Sequence, residues 1–584
     1  SYRHLADYER ELRDLAEDNP GLVRLVTLPH TSLEGREVLG VEISRDVDAT
    51  GDGKPTFLMM GLHHAREWPS GEHSMEFALD LVQHAGDERI GSLLERTRVV
   101  VVPVVNPDGF DQSRKWGDIA DLRQVDDELA AHGEDTGGLV GVLGTPGNAY
   151  KRKNCRLWDD QPTPPLSCEA PSPGGFGTGI DLNRNYGGLW GGGGSSDLFA
   201  DPDYRGPAPF SEPETQNVRD FVSSRHVTTL ITNHTYSNLI LRPPGTRAAG
   251  ETVDEAAMKD LGARMAAQNG YRNIHGWQLY DTDGTTEDWS YNATGGYGYT
   301  FEIGPDEFHP PFSETVDQYV GHGFYAGKGN REAFLLALEN AADPAHHAVL
   351  SGKAPDGAVL RLVKEFDTKT SDPALTVDDR LESVLHVTGN RPFEWHVNPS
   401  TRPEVMEHRV RVLAETPTRE EVVEHTEAGW RPGDHVDFDF PMPEEGVGAL
   451  KVNLDWPTPD DLDLYVYQKG PGGELIEVGS SGNFIGDKEE AIVDLPDAGD
   501  YVIRVVNYAS VSPTFTLTAG LYPVDREEVF GGGVVESYTL TCETPDGDVL
   551  QTAQVTVDRG QAQKLDLKEC ARAFRSPPAG AGRT

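Results

Sequence analysis

The stretch Pro55-Thr56-Phe57-Leu58-Met59-Met60-Gly61-Leu62-His63-His64-Ala65-Arg66-Glu67-Trp68 changes character twice. Its centre, Phe57 to Met60, is apolar without a break, as a strand covered on both faces must be; a strand with one wet face would alternate. A loop holding two histidines, an arginine and a glutamate follows. A helix then opens at Pro69 or Ser70 and runs through Met75, Ala78, Leu79 and Val82. Strand, polar loop and helix in that order form the unit of an α/β sheet, and such sheets place their sites in loops leaving strand ends.

The same alternation extends in both directions. Leu5, Tyr8, Leu12 and Leu15 make a helical stripe, and Val23 to Leu28 and Val38 to Ile43 read as strands. Arg98 to Val105 is a further buried strand, closed by a turn at Asn106-Pro107-Asp108-Gly109. Ser211-Glu212-Pro213-Glu214 reads as a capping box opening a helix to about Arg225, followed by a strand from Val227 to Thr232. A long helix with a glycine break, Val316 to Asn340, closes an α/β domain over residues 1–345. Residues 116–150 and 159–180 are rich in Gly, Asp and Pro and are expected as surface loops.

Beyond Ala341 the texture becomes all-β, with runs such as Val359 to Val363, Val384 to Val387 and Val410 to Leu413 between turn signals. We expect one β-sandwich over 346–442, a second over 443–525 and a short disulfide-linked β segment over 526–572. Residues 573–584 are expected to be a disordered tail.

Composition narrows the function. The 584 residues carry 51 Lys and Arg against 96 Asp and Glu, a formal net charge of -45. That excess opposes binding to nucleic acid or to anionic membranes and biases the surface toward cationic ligands. No apolar run reaches the roughly 18 residues that would span a bilayer. Four cysteines fall as two local pairs, Cys155 with Cys168 and Cys542 with Cys570. Two disulfides and an oxidising compartment suit that count, although four cysteines allow three connectivities. The chain begins Ser-Tyr-Arg; whether a leader was removed or simply omitted is not legible from the sequence.

His64 and Glu67, three apart on one turn, can converge on a cation, but they fill only two of the three protein positions of a catalytic zinc. Further polar clusters follow: Tyr150-Lys151-Arg152-Lys153-Asn154, Asp181-Leu182-Asn183-Arg184-Asn185, His234-Thr235-Tyr236, Tyr280 with Asp288-Trp289-Ser290-Tyr291, and Phe301-Glu302-Ile303. With these, residues 2–340 resemble the zinc carboxypeptidases of the A and B type, with H-A-R-E, R-K-N, D-x-N-R-N, H-x-Y and F-E elements in family order.

The resemblance implies a mixed central sheet with helices on both faces and one Zn2+ held by His64, Glu67 and His234, the fourth position left for water. It makes Asp181 the carboxylate that orients His64, Glu302 the general base and Arg152 the oxyanion-stabilising cation. Asn183, Arg184 and Tyr280 would grip the substrate's terminal carboxylate, and Arg66 and Tyr236 would line the neighbouring subsite. It further implies a secreted hydrolase acting on peptides with a free C-terminus, expected as a monomer.

Other readings of the same residues are weaker. His63 could replace His64 as ligand, Asp181 could cap a turn, and Arg152 and Arg184 could be surface charges. His73, His84 and His226 match no element and read as ordinary surface or helix residues. Glu287, just before Asp288-Trp289, predicts a preference for basic or mixed C-terminal residues if it enters the side-chain pocket, and none if it faces solvent. A cell-wall peptide amidase of the same fold, or an inert binding protein using its β modules, are the competing functions. The run Asp463-Leu464-Tyr465-Val466-Tyr467 resembles small β-sandwich modules appended to secreted bacterial proteases. There Asp455, Asp461, Asp463 and Asp494 could offer oxygen ligands to calcium.

Overall fold

The structure is a computed structural model that describes all residues except 118–147, 158–167, 170–176, 390, 427–428, 432, 444–446, 458–461, 471–472, 474, 482–487, 508–513 and 576–584. Most of the loop segments expected at 116–150 and 159–180, and the expected tail from 576 on, therefore lie outside the described residues; residues 573–575, expected in that tail, instead end the helix Lys568–Arg575.

The N-terminal domain is built on strands β1 (Val23–Thr27), β2 (Leu39–Ile43), β3 (Thr56–Met60), β4 (Arg98–Val102), β5 (Val227–His234), β6 (Leu239–Arg242), β7 (Glu251–Thr252), β8 (Arg272–His275) and β9 (Tyr297–Glu302). Eight of them form one sheet in the order β1-β2-β4-β3-β5-β9-β6-β8. β4, β3, β5 and β9 run parallel, while β1, β2 and the β9–β6 pair are antiparallel, so the sheet is mixed.

Alternation explains the unbroken apolar strands. Phe57, Met59, Val99, Val101 and Ile231 feed a core shared with the helices Leu5–Asp18 and Trp68–Gln83, whereas Leu58, Met60, Val100, Val102 and Leu230 feed the opposite core with the helices Pro213–Ser223 and Thr286–Thr294. Both faces are covered, and no wet face forces a polar residue into the pattern.

Local readings shift in three places. Asn106-Pro107-Asp108-Gly109 does not close a strand but starts the helix Pro107–Gly117, with proline at the position where its missing N–H costs nothing. The capping box at Ser211 does not form: Glu212 is the N-cap, without a side-chain capping bond, and the Ser211 hydroxyl is taken up by Glu212 and Asn185. The closing helix is two helices, Phe312–Val320 and Asn330–Ala342, parted at Gly321, whose φ of 78° is left-handed.

The β region is divided differently from the expectation. Strands Ala348–Gly352, Val359–Lys369, Thr376–His386 and Phe393–Val397 pair with Tyr538–Glu543, Val549–Val555 and Ala562–Lys564, so most of the segment over 526–572 completes the first β unit rather than standing apart, while its start, in Val524–Gly531, pairs with Glu407–Leu413. Its Cys542 is disulfide-bonded to Cys570, and Cys155 to Cys168. Arg419–Thr426 and His435–Met442, expected in the first sandwich, belong to the second, where they pair with Thr514–Tyr522 and Gly499–Asn507. An alternating pattern announces a strand but not its partner. The second sandwich also separates the acidic residues considered for calcium: Asp455 and Asp494 sit at opposite ends of one strand pair, Asp463 lies in the other sheet, and Asp461 is outside the described residues. Among the described residues no helix is long and apolar enough to cross a membrane.

Two histidines taken as ordinary are buried. His73 lies 2.9 Å from the carbonyl of Thr315. His226 sits between the α/β domain and the first β unit, its Nε2–H donating to Ser383 Oγ at 2.7 Å while its Nδ1 accepts from the Asn398 N–H at 3.0 Å. A second proton would face that N–H, and burial, aided by Lys364, holds the imidazole down to about 3. The unfolded chain therefore binds more protons than the folded one between pH 3 and about 6.5, and the stabilisation present above that window is lost as pH falls through it. Unfolding free energies from urea titrations at pH 6.5, 5.5 and 4.5 are expected to fall less steeply in His226→Gln, by about 1 kcal/mol per pH unit; an unchanged slope would exclude His226 as an acid-sensitive joint.

Candidate active site

Three parallel strands bring the chemistry together. β3, β5 and β9 are neighbours, and their C-terminal ends share one edge of the sheet. β3 runs into the loop carrying His64 and Glu67, while His234 and Glu302 are the last residues of β5 and β9 and face each other in register. Glu67 is the N-cap of the helix Trp68–Gln83. The loop tucks so closely under that helix that a Cβ on Gly61 would stand 2.6 Å from the Ser70 carbonyl oxygen.

His64, Glu67 and His234 are buried, with one potential ligand atom from each lying within 4.8 Å of the others. His64 Nε2–H donates to Asp181 Oδ1 at 2.9 Å, which leaves Nδ1 bare and aimed at Glu67 Oε1 at 2.8 Å. His234 Nδ1 lies 2.9 Å from Glu67 Oε2 and 3.1 Å from His64 Nδ1. Ligands about 2.0 Å from a tetrahedral zinc stand about 3.3 Å apart, so the set fits the ion. Lone pairs this close are also what a cation between them would satisfy. Burial opposes ionising Glu67, yet the imidazoles of His64 and His234 prevail and hold its carboxyl well below the usual range. Burial and Arg152 push His64 below its ordinary value, toward the neutral form a metal ligand needs.

His63 is buried and engaged elsewhere, with its Nε2 2.9 Å from the Tyr186 hydroxyl and its Nδ1 3.2 Å from Thr232 Oγ1. Asp181 ties the cluster to a cation: its Oδ2 accepts from Arg152 Nε at 2.9 Å and Nη2 at 2.8 Å, and its Oδ1 also accepts from the Asn183 N–H at 2.9 Å. Arg152 and Arg184 are buried, not surface charges. Asn183 Oδ1 accepts from the Thr286 N–H at 3.0 Å, and Arg184 Nε donates to the Gly194 carbonyl at 3.1 Å. Arg66 lies over the Phe308 ring at 4.2 Å, and burial, with Arg152 nearby, draws it down to about 10. Tyr236 and Tyr280 keep exposed edges on the same cleft.

The cleft encloses about 740 Å3 and is lined by His64, Glu67, His234, Glu302 and the arginines, while Asp181 and His63 lie behind its wall. Glu287 does not face solvent: it is buried, lines the cleft, and its Oε2 has no hydrogen-bond partner among the described residues. Thr285 and Thr300 line the same region with hydroxyls that are likewise unpartnered. Neither was marked by the sequence, although Thr300 lies two residues before Glu302 on β9 and so shares its face. Burial pushes the Glu302 carboxyl up to about 8, with Glu67 and Glu287 adding to it and His234 opposing.

Comparison with known proteins bears on this geometry. Carboxypeptidase A2 of Mus musculus is 27% identical over 314 residues, covering 52% of this chain and 62% of the relative. A zinc carboxypeptidase of Saccharothrix mutabilis subsp. capreolus is 29% identical over 323 residues, covering 53% and 64%. The chain thus spans about three-fifths of the length of these relatives. The crystal structure of carboxypeptidase A from Helicoverpa armigera aligns with a TM-score of 0.44 at 22% identity, over 59% of this chain and 74% of that one. The zinc carboxypeptidase family profile matches residues 8–320, which include every strand of the central sheet and the loop that carries the cluster. Because that match spans more than half of the chain, this protein belongs to the zinc carboxypeptidase family.

Proposed function

We propose that the protein is a zinc-dependent exopeptidase that hydrolyses the C-terminal bond of peptides, with a preference for a basic terminal residue. The observation that carries the reading is the convergence on one cleft of the His64, Glu67 and His234 donors, the Glu302 carboxylate and three arginines. Bound zinc supplies Lewis-acid polarisation of a carbonyl and acidifies a water.

The chain's own residues do the rest. Glu302, beside His234 in register, is positioned to take the proton of the attacking water and return it to the departing amine. Its raised proton affinity suits both halves of that transfer. Arg152, fixed by Asp181, offers a guanidinium to the charge that develops on the scissile carbonyl oxygen. Arg184 with Asn183 and Tyr280 meets the free carboxylate, which a planar guanidinium fork pairs with in bidentate fashion. Glu287, buried and unpartnered at Oε2 among the hydroxyls of Thr285 and Thr300, supports a pocket for Lys or Arg: a cation would satisfy it, and an apolar side chain would leave it unpaired. The two disulfides support an extracellular setting.

Three measurements test this. Glu302→Gln is expected to retain one zinc per chain while kcat falls about 100- to 10,000-fold; full activity in that variant would remove Glu302 from its role. Asp181→Asn is expected to weaken zinc about 10- to 100-fold in competition with a chromophoric chelator, because His64 loses the carboxylate that fixes its tautomer. On peptides differing only in the last residue, kcat/KM is expected to favour Arg over Phe, and Glu287→Gln to reduce that ratio at least about tenfold. A Phe preference indifferent to Glu287→Gln would sink the basic specificity and leave the exopeptidase standing.

A further inference from the structure

The strand Leu462–Lys469 of the second sandwich splits its residues by parity. Leu462, Leu464 and Val466 enter the core of the module, while Asp463, Tyr465 and Tyr467 face the cleft that holds the ligand cluster. The cleft is therefore walled by two domains. The module is fixed there and does not merely hang from a linker: Glu407–Leu413 pairs with β7 of the α/β domain, and Arg411 contacts Glu251 at 2.6 Å and Asp494 of the module at 3.6 Å. Arg247 reaches Asp494 as well, at 3.6 Å.

The facing surface is preorganised. The rings of Tyr465 and Tyr467 stack with centroids 6.2 Å apart and planes 18° from parallel. Arg504 covers Tyr467 at 5.2 Å and is held by Asp437 through hydrogen bonds of 2.7 and 2.8 Å. Tyr465 is near enough to Tyr236, on the opposite rim, that each ring enters the other wall's electrostatics, Asp463 acting on Tyr236 and Tyr236 on Tyr465.

Direction follows from the proposed function, on which this inference rests. Asn183, Arg184 and Tyr280 take the terminal carboxylate and Glu287 the terminal side chain, so the rest of the peptide must leave past Arg66, Tyr236 and Phe308, the rim the module faces. A cavity of about 740 Å3 is more than one terminal residue fills; cavities of about 300–1,000 Å3 engulf whole drug-sized ligands. We propose that Tyr465 and Tyr467 form a subsite, supplied by the accessory β module, for peptide residues upstream of the scissile bond. Every peptide presents backbone and side-chain surface to an aromatic shelf, so the subsite reads chain length and extension more than sequence.

The test compares an N-acylated dipeptide with an N-acylated hexapeptide sharing its last two residues. In the wild type the hexapeptide is expected to exceed the dipeptide in kcat/KM about tenfold, as two aromatic contacts would give. In Tyr465→Ala/Tyr467→Ala the ratio is expected to collapse toward one. A wild-type ratio near one, or a variant ratio equal to that of the wild type, overturns the proposal. Failure of the wild type to cleave either peptide would instead overturn the exopeptidase reading. A second measurement is independent of how the double variant folds: a hexapeptide with benzophenone four residues from its C-terminus, irradiated on Glu302→Gln, is expected to label residues 463–467. Labelling confined to the α/β domain overturns the proposal.

Discussion

One carboxylate ties the two halves of the site together. Asp181 gives one oxygen to His64 and the other to Arg152, so the geometry of the metal donors and that of the cation expected to meet the developing charge cannot vary independently. Leaving such a charge buried and unpaired costs several kcal/mol, and breaking a buried pair costs about 3–5 kcal/mol. Burial alone would raise Asp181; Arg152 and His64 outweigh it and hold it well below the usual carboxylate range. The constraint spreads from there, since the Asn183 N–H joins the same carboxylate and Asn183 in turn anchors Thr286, the first residue of the helix that carries Glu287.

That helix is held from behind as well. Asp379, on the strand Thr376–His386 of the first β unit, accepts from Trp289 Nε1 at 3.3 Å, from Arg219 Nε at 2.9 Å and from the Thr368 hydroxyl. Arg559 of the same unit reaches Asp254 at 2.7 and 2.8 Å and the Gly295 carbonyl just past the helix end at 2.8 Å. The first β unit thus sits on the face of the sheet opposite the helix Trp68–Gln83 and buttresses the wall of the cleft that carries Glu287. Its buried polar contacts are specific in geometry, and a slip at this joint would carry Glu287 with it.

What could be read from the sequence follows the range of the interactions involved. The buried strands and the His64-x-x-Glu67 loop were legible because their signal is local: continuous apolar residues for a sheet covered twice, and two ligand types one turn apart. Arg152, Asn183, Arg184 and Tyr280 became legible only through order and company along the chain. Thr285 and Thr300 were missed because a lone threonine carries no signal until its neighbours show it to be buried and unpartnered. The ownership of Arg419–Thr426 was beyond reach for a different reason. Its alternation is satisfied equally well in either sandwich, and the choice is made by pairing with Thr514–Tyr522, far along the chain. His226 likewise looked ordinary until a second domain covered it.

Charge acts on two scales in this molecule. The formal net charge of -45 gives a field that draws cationic peptides and resists anionic ones, but salt at physiological strength screens it beyond about 8 Å. On the proposed reading a peptide end would carry its negative carboxylate into the cleft whatever its side chain, so the overall field would oppose the very group to be bound. Inside the cleft Arg66, Arg152 and Arg184 stand among the carboxylates of Glu67, Glu287 and Glu302, so local pairing rather than the overall field decides where each charge of a ligand can rest. A basic terminal residue would reconcile the two scales: its side chain would offset the carboxylate during approach and then find Glu287, while Arg184 would keep the carboxylate. The proposed preference for basic C-termini is thus a specificity for which the acidic surface and Glu287 act in the same direction, with Arg184 left to the carboxylate.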